Sequence, residues 1–192
     1  EKGLSGVIGL KAYHLVSDEE EKVVPKPEDF YIDIGAKDKE AAAALVHLGD
    51  CAVFDSDVVE FGSGFLKAKA LDDRIGCAVM LELLKEDLPM DVTFAFTVQE
   101  EVGTRGAFGA AFSVEPEVAL VLETTTAADL AGVPEHKKVC SPGKGPVILY
   151  MDSGSVGDRG LFEGLRGMAQ ANGIPWQTKH YLAGGNDAAA VQ

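Results

Sequence analysis

Asp91-Val92-Thr93-Phe94-Ala95-Phe96-Thr97-Val98-Gln99-Glu100-Glu101 decides how the rest of the chain is read. Residues 91–98 are β-branched, aromatic or small on both alternating faces. That predicts a strand buried on both sides, the habit of a parallel sheet covered by helices. The run then stops abruptly at two carboxylates. Upstream, residues 66–71 read as a strand that ends at Asp72-Asp73-Arg74. A helix follows, with Ile75, Val79 and Leu83 on one face and Glu82 and Lys85 on the other. Downstream, residues 104–112 predict a short helix and residues 118–122 an apolar strand ending at Glu123. Residues 146–151 are a further buried strand. Leu161, Leu165 and Met168 mark a helix closing at Asn172-Gly173. Residues 175–182 are a strand, and Asp187 opens a last helix. Strand and helix alternate, the pattern of an α/β sandwich with a mostly parallel sheet.

The first part of the chain has a different rhythm. Residues 6–10 and 30–35 predict short strands, the second ended by Gly35. Residues 39–47 predict a short helix stopped near Gly49, and residues 51–54 another strand. Residues 1–57 therefore read as a small β-rich unit and residues 58–192 as the α/β domain.

Composition narrows the function classes. Hydrophobic residues make up 46% of the 192 and charged residues 25%, a globular balance. Thirty-one acids against 17 bases give a net charge of −14, which repels phosphate backbones and argues against nucleic acid. No run approaches the ~18 apolar residues that span a bilayer, so no membrane partner is expected. Cys51, Cys77 and Cys140 form no CxxC pair, which fits a reduced, cytoplasmic protein. Glu1-Lys2-Gly3 carries neither a start methionine nor a signal peptide, so the chain reads as a segment of something longer.

Open α/β sheets bind ligands beyond the carboxyl ends of their strands. Three apolar strands here end in acids: Asp72-Asp73, Glu100-Glu101 and Glu123. A single acid in such a place is most simply a helix N-cap. A doubled one in a water-poor crevice repels itself and calls for a cation or a shared proton. Together they favour a divalent-metal site and metal-assisted hydrolysis, in which two cations about 3.5–4 Å apart share a carboxylate and a water. A further carboxylate must then stay off the metals and move the proton. In an extended strand Glu100 and Glu101 would point opposite ways, so the strand must break at the pair, and Gly103 permits that turn.

Three stretches carry a resemblance to a known family. They are Ala68-Lys69-Ala70-Leu71-Asp72-Asp73-Arg74-Ile75-Gly76, then Phe96-Thr97-Val98-Gln99-Glu100-Glu101-Val102-Gly103-Thr104-Arg105-Gly106-Ala107, then Gly184-Gly185-Asn186-Asp187-Ala188. In this order they resemble the dinuclear aminopeptidases of metallopeptidase family 42, which includes glutamyl and deblocking aminopeptidases, the tetrahedral TET particles and members labelled endoglucanases. Gly6-Val7-Ile8-Gly9 and Asp33-Ile34-Gly35-Ala36 look like part of its β-rich inserted dimerisation domain. The resemblance covers essentially the whole chain and implies a zinc-exopeptidase-type α/β/α sandwich. It implies that Asp72 bridges two divalent ions, zinc or cobalt, and is joined to Asp73 by a cis peptide. Glu100 would be the general acid/base, Glu101 a ligand of one metal, and Glu123 a ligand where many members carry Asp. The substrates would be peptides, cleaved at the N-terminus, and the assembly a homo-oligomer, from dimer to dodecamer.

Two ligands of that family have no match: an early His paired with an Asp, and a late His. The chain therefore reads as an internal piece, inactive by itself. His14 and His47 read as surface or packing residues and Trp176 as packing. His136 reads as a loop residue with ligation as the lesser reading, His180 as structural with an approach to substrate as the lesser reading, and Asp187 as an N-cap with a supporting role behind the metal ligands as the lesser reading. Two rival readings stand beside the aminopeptidase. One is a metal-independent glycosidase using two carboxylates; the other is a non-catalytic assembly piece.

Overall fold

In the computed structural model, which describes residues 3–192, the chain divides into two units, 1–55 and 56–192. Glu1 and Lys2 lie outside the described residues, and with them the start of the Glu1-Lys2-Gly3 reading.

The first unit is organised by one antiparallel pair, β1 (Val7–Gly9) with β2 (Tyr31–Asp33), in the register Val7↔Asp33, Ile8↔Ile32 and Gly9↔Tyr31. The Tyr31 ring lies over Gly9 so closely that a Cβ there would collide with it. Between the strands run three single 3-10 turns, one braced by Lys11 Nζ on Glu20 at 2.7 Å. Helix α1 (Lys39–Ala43) starts where Asp38 Oδ1 accepts the Ala41 amide at 2.8 Å. It is shorter than the expected 39–47: past Ala44 the Leu45 and Val46 amides both fall on the Ala42 carbonyl, and the helix ends there. The strand expected at 51–54 has no ladder partner among the described residues. Beyond it, in the second unit, β3 (Val59–Phe61) pairs instead with β4 (Phe65–Lys67), turned by Gly62 and Gly64 at positive φ. The strand expected at 66–71 is thus the end of a hairpin, and residue 71 already leads into the helix.

The second unit is α/β. Helices α2 (Leu71–Leu83), α3 (Arg105–Val114), α4 (Arg159–Ala171) and α5 (Ala188–Val191) alternate with the apolar runs 91–98, 118–122, 146–151 and 175–182. Helix α4 is capped by Asp158, whose Oδ1 takes the Leu161 amide at 2.8 Å, and it closes at Asn172 and left-handed Gly173. Phe162 packs against Tyr150 with ring centroids 5.3 Å apart, and Arg166 lies over Trp176 at 5.8 Å. These contacts seat α4 on the segments before and after it.

Where sheet pairing was expected to be mostly parallel, the described residues show one parallel bridge, Val147↔Gln177, beside the two antiparallel hairpins. That bridge is strongly built. Gln177 exchanges main-chain bonds with Pro146 and Ile148, its Nε2 donates to the Ser141 and Gly145 carbonyls, and its Oε1 accepts the Ser141 amide. Runs 91–98 and 118–122 form no ladder, and Phe96, Val98, Val118 and Leu120 are exposed. A strand apolar on both faces needs neighbours at both edges and on both sides. The buried apolar residues are Ala107, Val139, Cys140 and Ala169. Among the described residues no helix is long and apolar enough to cross a membrane.

Candidate active site

Asp72 and Asp73 sit at the entrance of α2, joined by a cis peptide, both with non-helical dihedrals. Regular helix begins only after them, and Asp73 Oδ1 accepts the Gly76 amide at 2.9 Å. Asp73 is therefore the effective N-cap. A Cβ at Gly76 would strike the Asp73 carboxylate, so glycine there is what lets the cap close.

The Glu100-Glu101 pair stands on a sharp turn. Gln99 adopts φ +60, a left-handed conformation unusual for its type, and Gly103 adopts φ +111. The amides of Gly103 and Thr104 both donate to the Glu100 carbonyl at 2.9 Å. Arg105 N then bonds Gln99 O at 3.2 Å, and Gly106 N bonds Val98 O at 2.9 Å, which folds α3 back on the segment entering the turn. The break expected at the pair is thus made one residue earlier, at Gln99, with Gly103 completing it. A Cβ at Gly106 would meet the Val98 main chain at 2.5 Å.

Ligand atoms of Asp72, Asp73 and Glu123 lie within 4.8 Å of one another. Around them the carboxylates act on each other. Glu123 is pushed up to about 7 by burial first, then by Asp73, Glu100, Asp72 and Asp187. Desolvation raises Glu100 as well, helped by Glu101, Asp187 and Asp72. Asp73 is raised by desolvation and by Asp72, against the lowering effect of the Gly76 amide. Hard oxygen donors packed at this spacing suit a divalent cation, whose charge would relieve that repulsion.

Asp72, Glu100 and Glu123 thus belong to one electrostatic centre. Glu101 is exposed and lies outside the three-carboxylate group, though its charge acts on Glu100. Sequence reasoning read Asp73 as a cap or as the neighbour of Asp72, without a place in the acidic group, and it put the N-cap reading of Asp187 ahead of a supporting role at the site. For Asp73 the signal was the doubled acid itself. For Asp187 it was an acid one residue beyond the Gly184-Gly185 pair that follows the apolar run 175–182. Asp187 caps no amide. The four histidines are all exposed, and none belongs to the group.

Known proteins resemble the chain over nearly its whole length. The family model described as M42 glutamyl aminopeptidase matches residues 1–192. A curated relative from Acetivibrio thermocellus is 37% identical over 190 residues, 97% of this chain and 56% of its own length. An aminopeptidase structure from the archaeon Desulfurococcus kamchatkensis is 37% identical, with a TM-score of 0.87 over 97% of this chain and 52% of its own. The Pyrococcus horikoshii TET1 peptidase, described as able to assemble into a tetrahedron or a large octahedral shell, is 33% identical, with a TM-score of 0.75 over 97% of this chain and 56% of its own. The chain spans about half the length of the relatives it matches.

Proposed function

Because the chain belongs to the M42 glutamyl aminopeptidase family, we propose that the complete protein is a metal-dependent aminopeptidase that removes N-terminal residues from peptides. The observation that carries this reading is the close group of Asp72, Asp73 and Glu123 with Glu100 beside it. Asp72 and Glu123 would hold divalent ions, and Glu101, which stands outside the three-carboxylate group, is assigned as a further ligand on the family resemblance alone. Two such ions, zinc or cobalt, would supply Lewis-acid polarisation of the peptide carbonyl and an activated water.

The remaining work falls to the chain. Glu100 takes the proton of the attacking water and returns it to the leaving amine. In the metal-free protein desolvation raises its carboxyl, ahead of repulsion from Glu101, Asp187 and Asp72. On the Gln99–Gly103 turn Glu100 is half-buried and Glu101 exposed, so the two meet different surroundings. We further propose that the complete protein self-associates, as the TET1 peptidase is described as doing. A reducing, cytoplasmic setting fits Cys51, an exposed thiol without a disulfide partner.

Glu100→Gln in the complete natural protein is the direct test. It should lower kcat on aminoacyl p-nitroanilides by about a hundredfold or more with metal content unchanged. Retained activity would remove Glu100 from the role. EDTA should abolish peptide cleavage and zinc or cobalt restore it. A glycosidase working through two carboxylates would be indifferent to the chelator.

A further inference from the structure

Asp187 stands directly before α5, in the place of an N-cap, yet its side chain caps nothing. It is instead a buried carboxylate, 7% exposed. Its Oδ2 accepts the Thr97 hydroxyl at 2.6 Å, a bond between residues 90 positions apart. Its Oδ1 is fully enclosed and finds no donor among the described residues. A buried acid satisfied on one oxygen is a costly arrangement for a mere helix start.

The loop that carries Asp187 is held from its other side. Asn186 Nδ2 donates to Asp152 Oδ2 at 3.3 Å, and Ser153 N donates to the Gly184 carbonyl at 3.0 Å. Asp152 is itself buried, with Oδ1 accepting the Gly154 and Ser155 amides and the Ser155 hydroxyl. Helix α5 packs on α3. Asp187 is thus presented from a braced loop, and the residue it grips is Thr97. Val98, next in sequence, accepts the Gly106 amide, and Gln99 after it makes the left-handed break. The charge of Asp187 also reaches both Glu100 and Glu123.

We propose that Asp187 is a positioning residue for the Glu100–Glu101 turn: through the Thr97 hydroxyl it fixes the segment entering the turn, and so sets where the Glu100 carboxylate stands. The structural claim rests on Asp187 and Thr97. Its kinetic consequence rests on the aminopeptidase reading above.

The test uses the complete natural protein and three variants, Thr97→Val, Thr97→Ser and Asp187→Ala. Amide hydrogen exchange of the metal-free protein is followed in residues 99–106, whose amides report the turn, and in the hairpin 59–67 as a control. Thr97→Val, which deletes only the hydroxyl, should speed exchange in 99–106 by about tenfold and leave 59–67 unchanged. Asp187→Ala should reproduce that local pattern, and Thr97→Ser should match the unmodified protein. With zinc restored, Thr97→Val should lower kcat about tenfold with KM within about twofold and metal content unchanged. Unchanged exchange in 99–106, equal acceleration in both regions, or a serine variant as impaired as the valine one would overturn the proposal. Local acceleration in a protein that cleaves no peptide, even before substitution, would leave the positioning role standing and defeat the aminopeptidase reading instead.

Discussion

Asp73 puts one carboxylate to two uses. One oxygen caps α2 through the Gly76 amide, and the residue also completes the acidic group with Asp72 and Glu123. From the sequence, strand-end acids were legible because they interrupt long apolar runs. The difference between Asp73 and Asp187 was not, since both precede helices and only one of them caps. Cap geometry depends on dihedrals at the junction, and those are set by tertiary contacts as much as by residue type. Glu123 yields a pH prediction. In the folded, metal-free protein its carboxyl keeps its proton to about 7, against an ordinary 4.5 when unfolded. Between these values the folded state binds more protons, so stability from this group is full below 4.5 and is lost as pH rises through 7. Thermal melts of metal-free protein should show a falling Tm across that window, and Glu123→Gln should flatten the fall. Zinc binding followed by calorimetry should tighten from pH 6 to pH 8 and release protons, because the ligand must ionise.

Among the elements, α3 is the one most tightly committed to the site. Its first turn folds onto Val98 because residue 106 has no side chain. Gly106→Ala should force the helix away from the turn and cost roughly 1–3 kcal/mol, seen as a lower urea midpoint and, in the complete protein, as a loss of the proposed peptidase activity. Asp158→Ala offers the contrast. It removes the cap of α4 and should cost about 0.5–2 kcal/mol while leaving kcat near its starting value. Helices α2, α3 and α4 were legible from apolar periodicity and from capping or glycine signals. Strand pairing was much less so. Residues 66–71 and 51–54 have strand composition, but a ladder needs a partner in register, and the partner choice is non-local. Val59–Phe61 pairs locally with Phe65–Lys67 through a glycine-rich turn, and that settles where β4 ends.

On the scale of the whole molecule, the apolar runs 91–98 and 118–122 present Phe96, Val98, Val118 and Leu120 to solvent. Exposed apolar surface of this kind is a site of association. The 192-residue chain alone should brighten an environment-sensitive hydrophobic dye, and a product with the full length of its relatives should do so less. A dark dye with the isolated chain would mean these faces are covered in solution. Much of the α/β plan was legible because alternation of apolar runs and helices survives in any stretch long enough to show it. The assembly was not, since no residue pattern here encodes a symmetry.

Gln177 bears on how the chain finds this structure in time. Its five hydrogen bonds tie the segment before α4 to the segment after it. The loop closed in this way is short, roughly thirty residues, and much of it is helix. Contacts that close short loops form early, because little chain entropy is spent before they are rewarded. Residues 146–178 are therefore expected to close before the longer-range ties, such as Thr97 to Asp187, settle. Gln177→Leu should then slow refolding, while Thr97→Val should chiefly hasten unfolding.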